Sequence, residues 1–194
     1  MKSVKAIKSP MRKQGGFTIL ELTTVIAIIA ILSILSLFAL PPFVISGKVG
    51  PASNELLRGM QKMRINAEGA GMTPYATANT STFANLMRGG SVFTVTNVGA
   101  AATLNNSMRL LGTSVVTVAP GTMPAGVLGD SYVVTAANVS DAACPELAAS
   151  AQRGAERITI NGVQVKAPGG NYNGVAATAA CTLLDTNTYT FQAM

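Results

Sequence analysis

A chain of 194 residues is long enough for one folded domain plus an anchor, and short for two domains. Apolar residues make up 48% of it and charged residues 11%, a balance unlike that of a soluble cytoplasmic enzyme. There is no His, so the commonest acid–base group and metal ligand is missing, which argues against zinc hydrolysis and against Ser-His or Cys-His catalysis. The net charge of +6 is concentrated at one end, because residues 1–16 carry Lys2, Lys5, Lys8, Arg12 and Lys13 and no acid. Beyond Gly71, Arg88, Arg109, Arg153, Arg157 and Lys166 balance Asp130, Asp141, Glu146, Glu156 and Asp185. The basicity therefore marks a targeting segment, and no nucleic-acid partner is expected.

Gly15-Gly16 follows the basic leader, then Phe17-Thr18-Ile19-Leu20-Glu21-Leu22, and no charge occurs from Leu22 through Gly47. As a helix, residues 17–40 would extend about 36 Å at 1.5 Å per residue, enough to cross a hydrocarbon core of about 30 Å. The cations would stay cytoplasmic while the C-terminal part is translocated. A cleaved secretory signal has a shorter apolar stretch with the small-residue cut site after it; here the glycine pair comes first. An ordinary signal anchor explains the length and charge, but neither Gly-Gly-Phe nor the lone acid Glu21. Two readings of Glu21 are open. It can lie at headgroup depth and favour the helix N-terminus through the macrodipole. Alternatively, a cut after Gly16 would make it the fifth residue from a new amine at Phe17, with both charges in an apolar setting that strengthens their attraction.

The basic leader, Gly15-Gly16, the Phe17 to Glu21 run and the long uncharged stretch resemble the class III signal of type IV pilins and pseudopilins, over roughly residues 10–40. The resemblance implies cleavage between Gly16 and Phe17 by prepilin peptidase and N-methylation of the Phe17 amine. It also implies that Glu21 pairs with the Phe17 amine of a neighbouring subunit and sets axial register during assembly. The 16-residue leader is similar to that of type IVb pilins, whereas Phe17 is similar to the type IVa subclass.

Next in the chain, Pro41-Pro42 is followed by Gly47, Gly50 and Pro51. An interior Pro removes a hydrogen bond and clashes with the preceding turn, at about 3 kcal/mol, so either the anchor ends here or the helix breaks. Helix signals resume at Ser53, a good N-cap type, with Leu56, Leu57, Met60, Met63 and Ala67 on one face. The expectation is a long N-terminal helix, broken near residues 41–51, that reaches about Ala67 and lays its second half across the following domain.

From Gly71 the composition shifts to Thr, Ala, Gly, Val and Asn. Phe83, Leu86 and Met87 have helical spacing over residues 81–88, with Gly89-Gly90 as the stop. The β-branched runs 113–119 and 131–136 read as strands. Ser140 can cap a helix through Gln152 with Pro145 in its early part. Residues 157–160 and 163–166 flank Asn161-Gly162, a strong hairpin signal, and residues 188–192 close the chain as a strand. The fold class is α+β, an antiparallel sheet packed on the second half of the long helix. Its division is a leader at 1–16, the helix at 17–70 and a globular head at 71–194.

Cys144 and Cys181, both in the exported part, are either two separate buried thiols or, in an oxidising periplasm, a disulfide. A disulfide closing a C-terminal loop resembles that region of type IV pilins. The helix leading into Cys144 and the last strand look like type IVb and thin conjugative pilus subunits. Neither a phosphate loop nor a cofactor or metal motif is found, and an enzyme is not expected. The resemblance implies a major pilin that passes through the inner membrane and its assembly machinery and homopolymerises into a surface filament for adhesion, conjugation or motility. A type II secretion pseudopilin and a minor pilin for DNA uptake are the alternatives.

Overall fold

The apolar periodicity of the first third is realised as α1, Ile19–Ala67, in a computed structural model that describes residues 16–110 and 112–194. The expected leader, apart from Gly16, lies outside the described residues. The chain divides into two units, Met1–Ala39 and Leu40–Met194. In the first, the large apolar side chains of α1 from Ile19 to Leu35 are all exposed.

In the second unit, α1 buries Ile45, Val49, Ala52, Leu56, Met60 and Met63. Steps of three and four residues put these side chains on one stripe, as an amphipathic helix requires. The stripe faces a seven-stranded antiparallel sheet of order β1-β2-β3-β4-β7-β5-β6, formed by β1 (Phe93–Thr96), β2 (Thr103–Asn106), β3 (Ser114–Gly121), β4 (Ser131–Val139), β5 (Arg157–Ile160), β6 (Val163–Lys166) and β7 (Asn187–Ala193). In β3, Val116 and Val118 point inward while Val115 and Thr117 point to solvent, the alternation of a sheet covered on one face. The C-terminal β7 pairs with both β4 and β5, and its Phe191 lies between Val134 and Ile158. Tyr132, fully buried on β4, donates its hydroxyl to the Met60 carbonyl of α1 at 3.0 Å, tying sheet to helix.

The break expected at Pro41, Pro42 and Gly47 is absent. The assigned helix continues through these residues and through Pro51. Each Pro deletes a single N–H, and the buried stripe from Ile45 to Leu56 supplies packing that offsets the loss. Pro42, Gly47, Gly50 and Pro51 all lie on the exposed side, where a distorted turn displaces nothing. Ser53 is accordingly no N-cap; it lies inside the helix, and its hydroxyl donates to the Gly50 carbonyl at 2.9 Å.

Helix α2, Thr80–Leu86, is capped by Asn79, whose side chain accepts from the Thr82 amide. The single helix expected from Ser140 to Gln152 is two pieces. A 3₁₀ turn at Asp141–Ala143, capped by the Ser140 hydroxyl, precedes α3, Glu146–Ala151. Pro145 between them has no N–H with which to join the two. The hairpin of β5 and β6 turns at Asn161-Gly162, both at positive φ (51° and 82°), as its dipeptide requires. Strands β1 and β2 and the helix α4, Gly174–Ala180, are additions to the expected set.

Candidate assembly and processing site

Gly16, Phe17 and Thr18 precede the helix in irregular backbone; Phe17 is 83% exposed, and among the described residues nothing lies within 4 Å of where a Cβ on Gly16 would be. Thr18 and Glu21 form a reciprocal capping box. The Thr18 amide and hydroxyl donate to one Glu21 carboxylate oxygen at 2.9 and 3.0 Å, and the Glu21 amide donates to the Thr18 hydroxyl at 3.2 Å. In a single chain the carboxylate is thus spent on its own helix end, where the macrodipole also favours it. The Thr-x-x-Glu pattern carrying this cap stood in the sequence.

Beyond the cap, Ile19–Ser36 has a mean hydropathy of 2.4 with none of it buried, sufficient in length and composition to cross a membrane. Its few hydroxyls are satisfied within the helix. Thr23 and Thr24 donate to the Leu20 carbonyl, and Ser33 donates to that of Ile29 at 2.7 Å. The segment can therefore enter lipid or a bundle of like helices without stranding a polar group.

In the second unit, Cys144 and Cys181 form the disulfide, with a Cα–Cα distance of 6.0 Å across a separation of 37 residues. The bond ties the turn after Ala143 to the end of α4. Asn161 donates to the Ala180 carbonyl at 2.8 Å and to Asn187, while the Asn187 amide group donates to the Thr182 carbonyl, so a polar network backs the disulfide.

Glu55, which sequence reasoning passed over, is buried on α1. Its carboxylate accepts from the amides of Ser91 at 2.6 Å, Val92 at 3.2 Å and Phe93 at 2.9 Å, and from the Ser91 hydroxyl at 2.8 Å. Burial pushes the carboxyl upward, but the bonds from Phe93, Ser91 and Val92 together outweigh it and hold the group below the ordinary carboxylate range. Glu55 thereby anchors the start of β1 to the helix. Its only sequence signal was an acid beside the apolar stripe.

A family model described as PilS N terminal matches residues 94–194, just over half of the chain. The chain is a type IV pilin of the PilS family. A second model, the prokaryotic N-terminal methylation motif, matches residues 11–37, the segment holding Gly16, Phe17 and Glu21. Among solved structures, this pilin is similar to a type IVb pilin from Salmonella typhi, at 26% identity over 70% of this chain and 95% of that one, with a TM-score of 0.48. It is also similar to TcpA, a type IV pilin from Vibrio cholerae El Tor biotype, at 13% identity over 74% and 99% of the two chains, with a TM-score of 0.42. No curated protein matches it.

Proposed function

We propose that this pilin is the major structural subunit of a type IV pilus. Prepilin peptidase cuts it between Gly16 and Phe17, the Phe17 amine is methylated, and the product passes from the inner membrane into an extracellular homopolymer. The leader is then residues 1–16, the anchor and filament core residues 17–70, and the head residues 71–194. The observation that carries this reading is the exposed, apolar Ile19–Ser36 segment, with Glu21 as its one charged residue, directly after Gly16-Phe17 and within the matched methylation motif. A surface so apolar leaves water for lipid before assembly and for other helices of its kind afterwards.

Glu21 takes two partners in succession. Its own capping box holds it in the free subunit, and on assembly it pairs with the Phe17 amine of the next subunit. That amine exists only after the cut, so processing and register are linked. Adhesion, conjugation and motility are the uses open to such a filament. The composition of sheared surface filaments tests the structural role. Filaments built mainly of this chain are expected; a trace amount within filaments of another pilin would make it a minor subunit, and complete absence would contradict the proposal.

A further inference from the structure

The end of the second unit where α1 begins is apolar and exposed. Phe43 is 77% and Val44 55% exposed, and Ile45 is the first buried residue of α1 among the described residues. The next turn holds the loops of the head. The Ser46 hydroxyl donates to the Ala142 carbonyl at 3.2 Å, and the Lys48 ammonium donates to the Ser107 carbonyl at 2.8 Å. Further bonds knit these loops to the turn after α4. The Ser140 amide donates to the Met108 carbonyl, the Asp141 amide to the Leu184 carbonyl, and the Leu110 amide to the Asp185 carboxylate.

Within this set Leu183 and Leu184 turn outward, 80% and 64% exposed. Leu184 is held at a φ of 64°, uncommon for a bulky residue. The charged groups beside them, Lys48, Arg109, Asp141 and Asp185, sum to zero and are engaged locally. Lys48 is bound to Ser107, Arg109 lies 3.8 Å from Asp185, and the Asp141 carboxylate accepts from the Ser140 hydroxyl. The surface is therefore apolar and electrically neutral, which suits an apolar partner better than an ionic one.

Chain connectivity sets the level of this surface. No charge occurs from Leu22 through Gly47, so after Glu21 the next group that must stay at headgroup depth is Lys48. Residues 22–47 extend about 39 Å as helix, against about 30 Å for a hydrocarbon core and about 40–45 Å with both headgroup layers. A span with Glu21 and Lys48 at its two interfaces puts Ser46 and Lys48 at headgroup depth, whatever angle the head takes. The loops bonded to those two residues lie at that level too. Leu128, although 67% exposed, is out of reach. Its neighbour Gly129 accepts from the Tyr75 amide, and Tyr75 stands with Met63 around one hollow. Met63 is 17 residues beyond Ser46, about 25 Å along the helix.

We infer that Leu183 and Leu184, with Phe43 and Val44, seat the head on the lipid bilayer that holds Ile19–Ser36 before assembly. The inference rests on the membrane-anchored stage of the proposed function and adds a second lipid contact, made by the head itself. The leucines enter the boundary between headgroups and acyl chains, and the seat fixes which end of the head faces the membrane.

The test places a fluorescent amino acid at Phe43, Leu128 or Leu183, one at a time, in the full chain. Each chain is reconstituted in vesicles of phosphatidylethanolamine and phosphatidylglycerol whose lipids carry a quencher near the headgroup. The label at residue 183 should be quenched at least about threefold more than that at residue 128, and close to that at residue 43. Quenching at 183 no greater than at 128 overturns the inference. Replacing phosphatidylglycerol by phosphatidylcholine should change nothing, and quenching that vanishes without the anionic lipid would overturn the apolar seat. Shielding of residue 183 without lipid quenching, rising with the protein-to-lipid ratio, would overturn it in favour of a second copy. Absence of quenching at residue 43 would instead count against the membrane anchor itself, and the inference would fall with it.

Discussion

Glu21 and Glu55 stand on the same helix and mark two regions that hold a carboxylate in different ways, the first exposed and the second buried. Around Glu21 every large side chain faces outward, and the acid is held by one residue of its own turn. Around Glu55 the helix has a packed stripe, and the acid is held by three amides about 36 residues away in sequence. The first arrangement is local, and on the proposed function it is exchanged for an intermolecular one; the second exists only when the domain is folded. One helix thus carries an exposed apolar surface and a packed one.

The sharpest way to break the second region is to remove its covalent tie. Replacing Cys144 and Cys181 by Ala should cost about 4 kcal/mol in the chain-entropy estimate for a loop of this length, read as a lower denaturant midpoint. Next comes Glu55→Ala, which strands buried amides and should cost about 2–4 kcal/mol by the same measurement. Glu55→Gln should lose less, because one acceptor oxygen remains.

The same carboxylate gives the second unit a pH signature. Its folded-state pKa is below the unfolded value, so its stabilisation is present above the unfolded carboxylate range of about 4.3 and is lost as pH falls through the lowered folded value. Thermal midpoints of the wild type should drop over that acidic window more steeply than those of Glu55→Gln. Parallel curves would show that Glu55 does not carry the effect.

The smallest expected change sharpens the helix itself. Gly47 and Gly50 have negative φ and open space where a Cβ would stand. Changing each to Ala should therefore stabilise the isolated subunit, by about 0.5–1 kcal/mol per site. A loss of stability would show a role for these glycines that packing does not reveal.

Legibility in the sequence followed how local each interaction is. The β5–β6 hairpin was readable because Asn161-Gly162 demands one turn, and the buried face of α1 because Leu56, Met60 and Met63 keep helical spacing. The disulfide was one of two stated options for the only two cysteines, and the structure joins them. By contrast, β1 and β2 are rich in Thr and Asn. Asn106 is buried because its side chain donates to the Ser114 and Ala137 carbonyls, which no hydropathy pattern announces. Helix α4 is short and alanine-rich, with only Ala177 and Ala180 buried. The expected interruption after Pro41 is absent because the packing of Ile45, Val49 and Ala52, which helix propensity does not contain, offsets the local cost of the prolines. Glu55 was invisible for the same reason, as its partners come from another element.

The central claim is that the chain is cut after Gly16 and then polymerised, and N-terminal mass analysis of sheared surface filaments tests it directly. The account predicts subunits that begin at an N-methylated Phe17. Filament subunits that retain Met1, or begin at another residue, would contradict it.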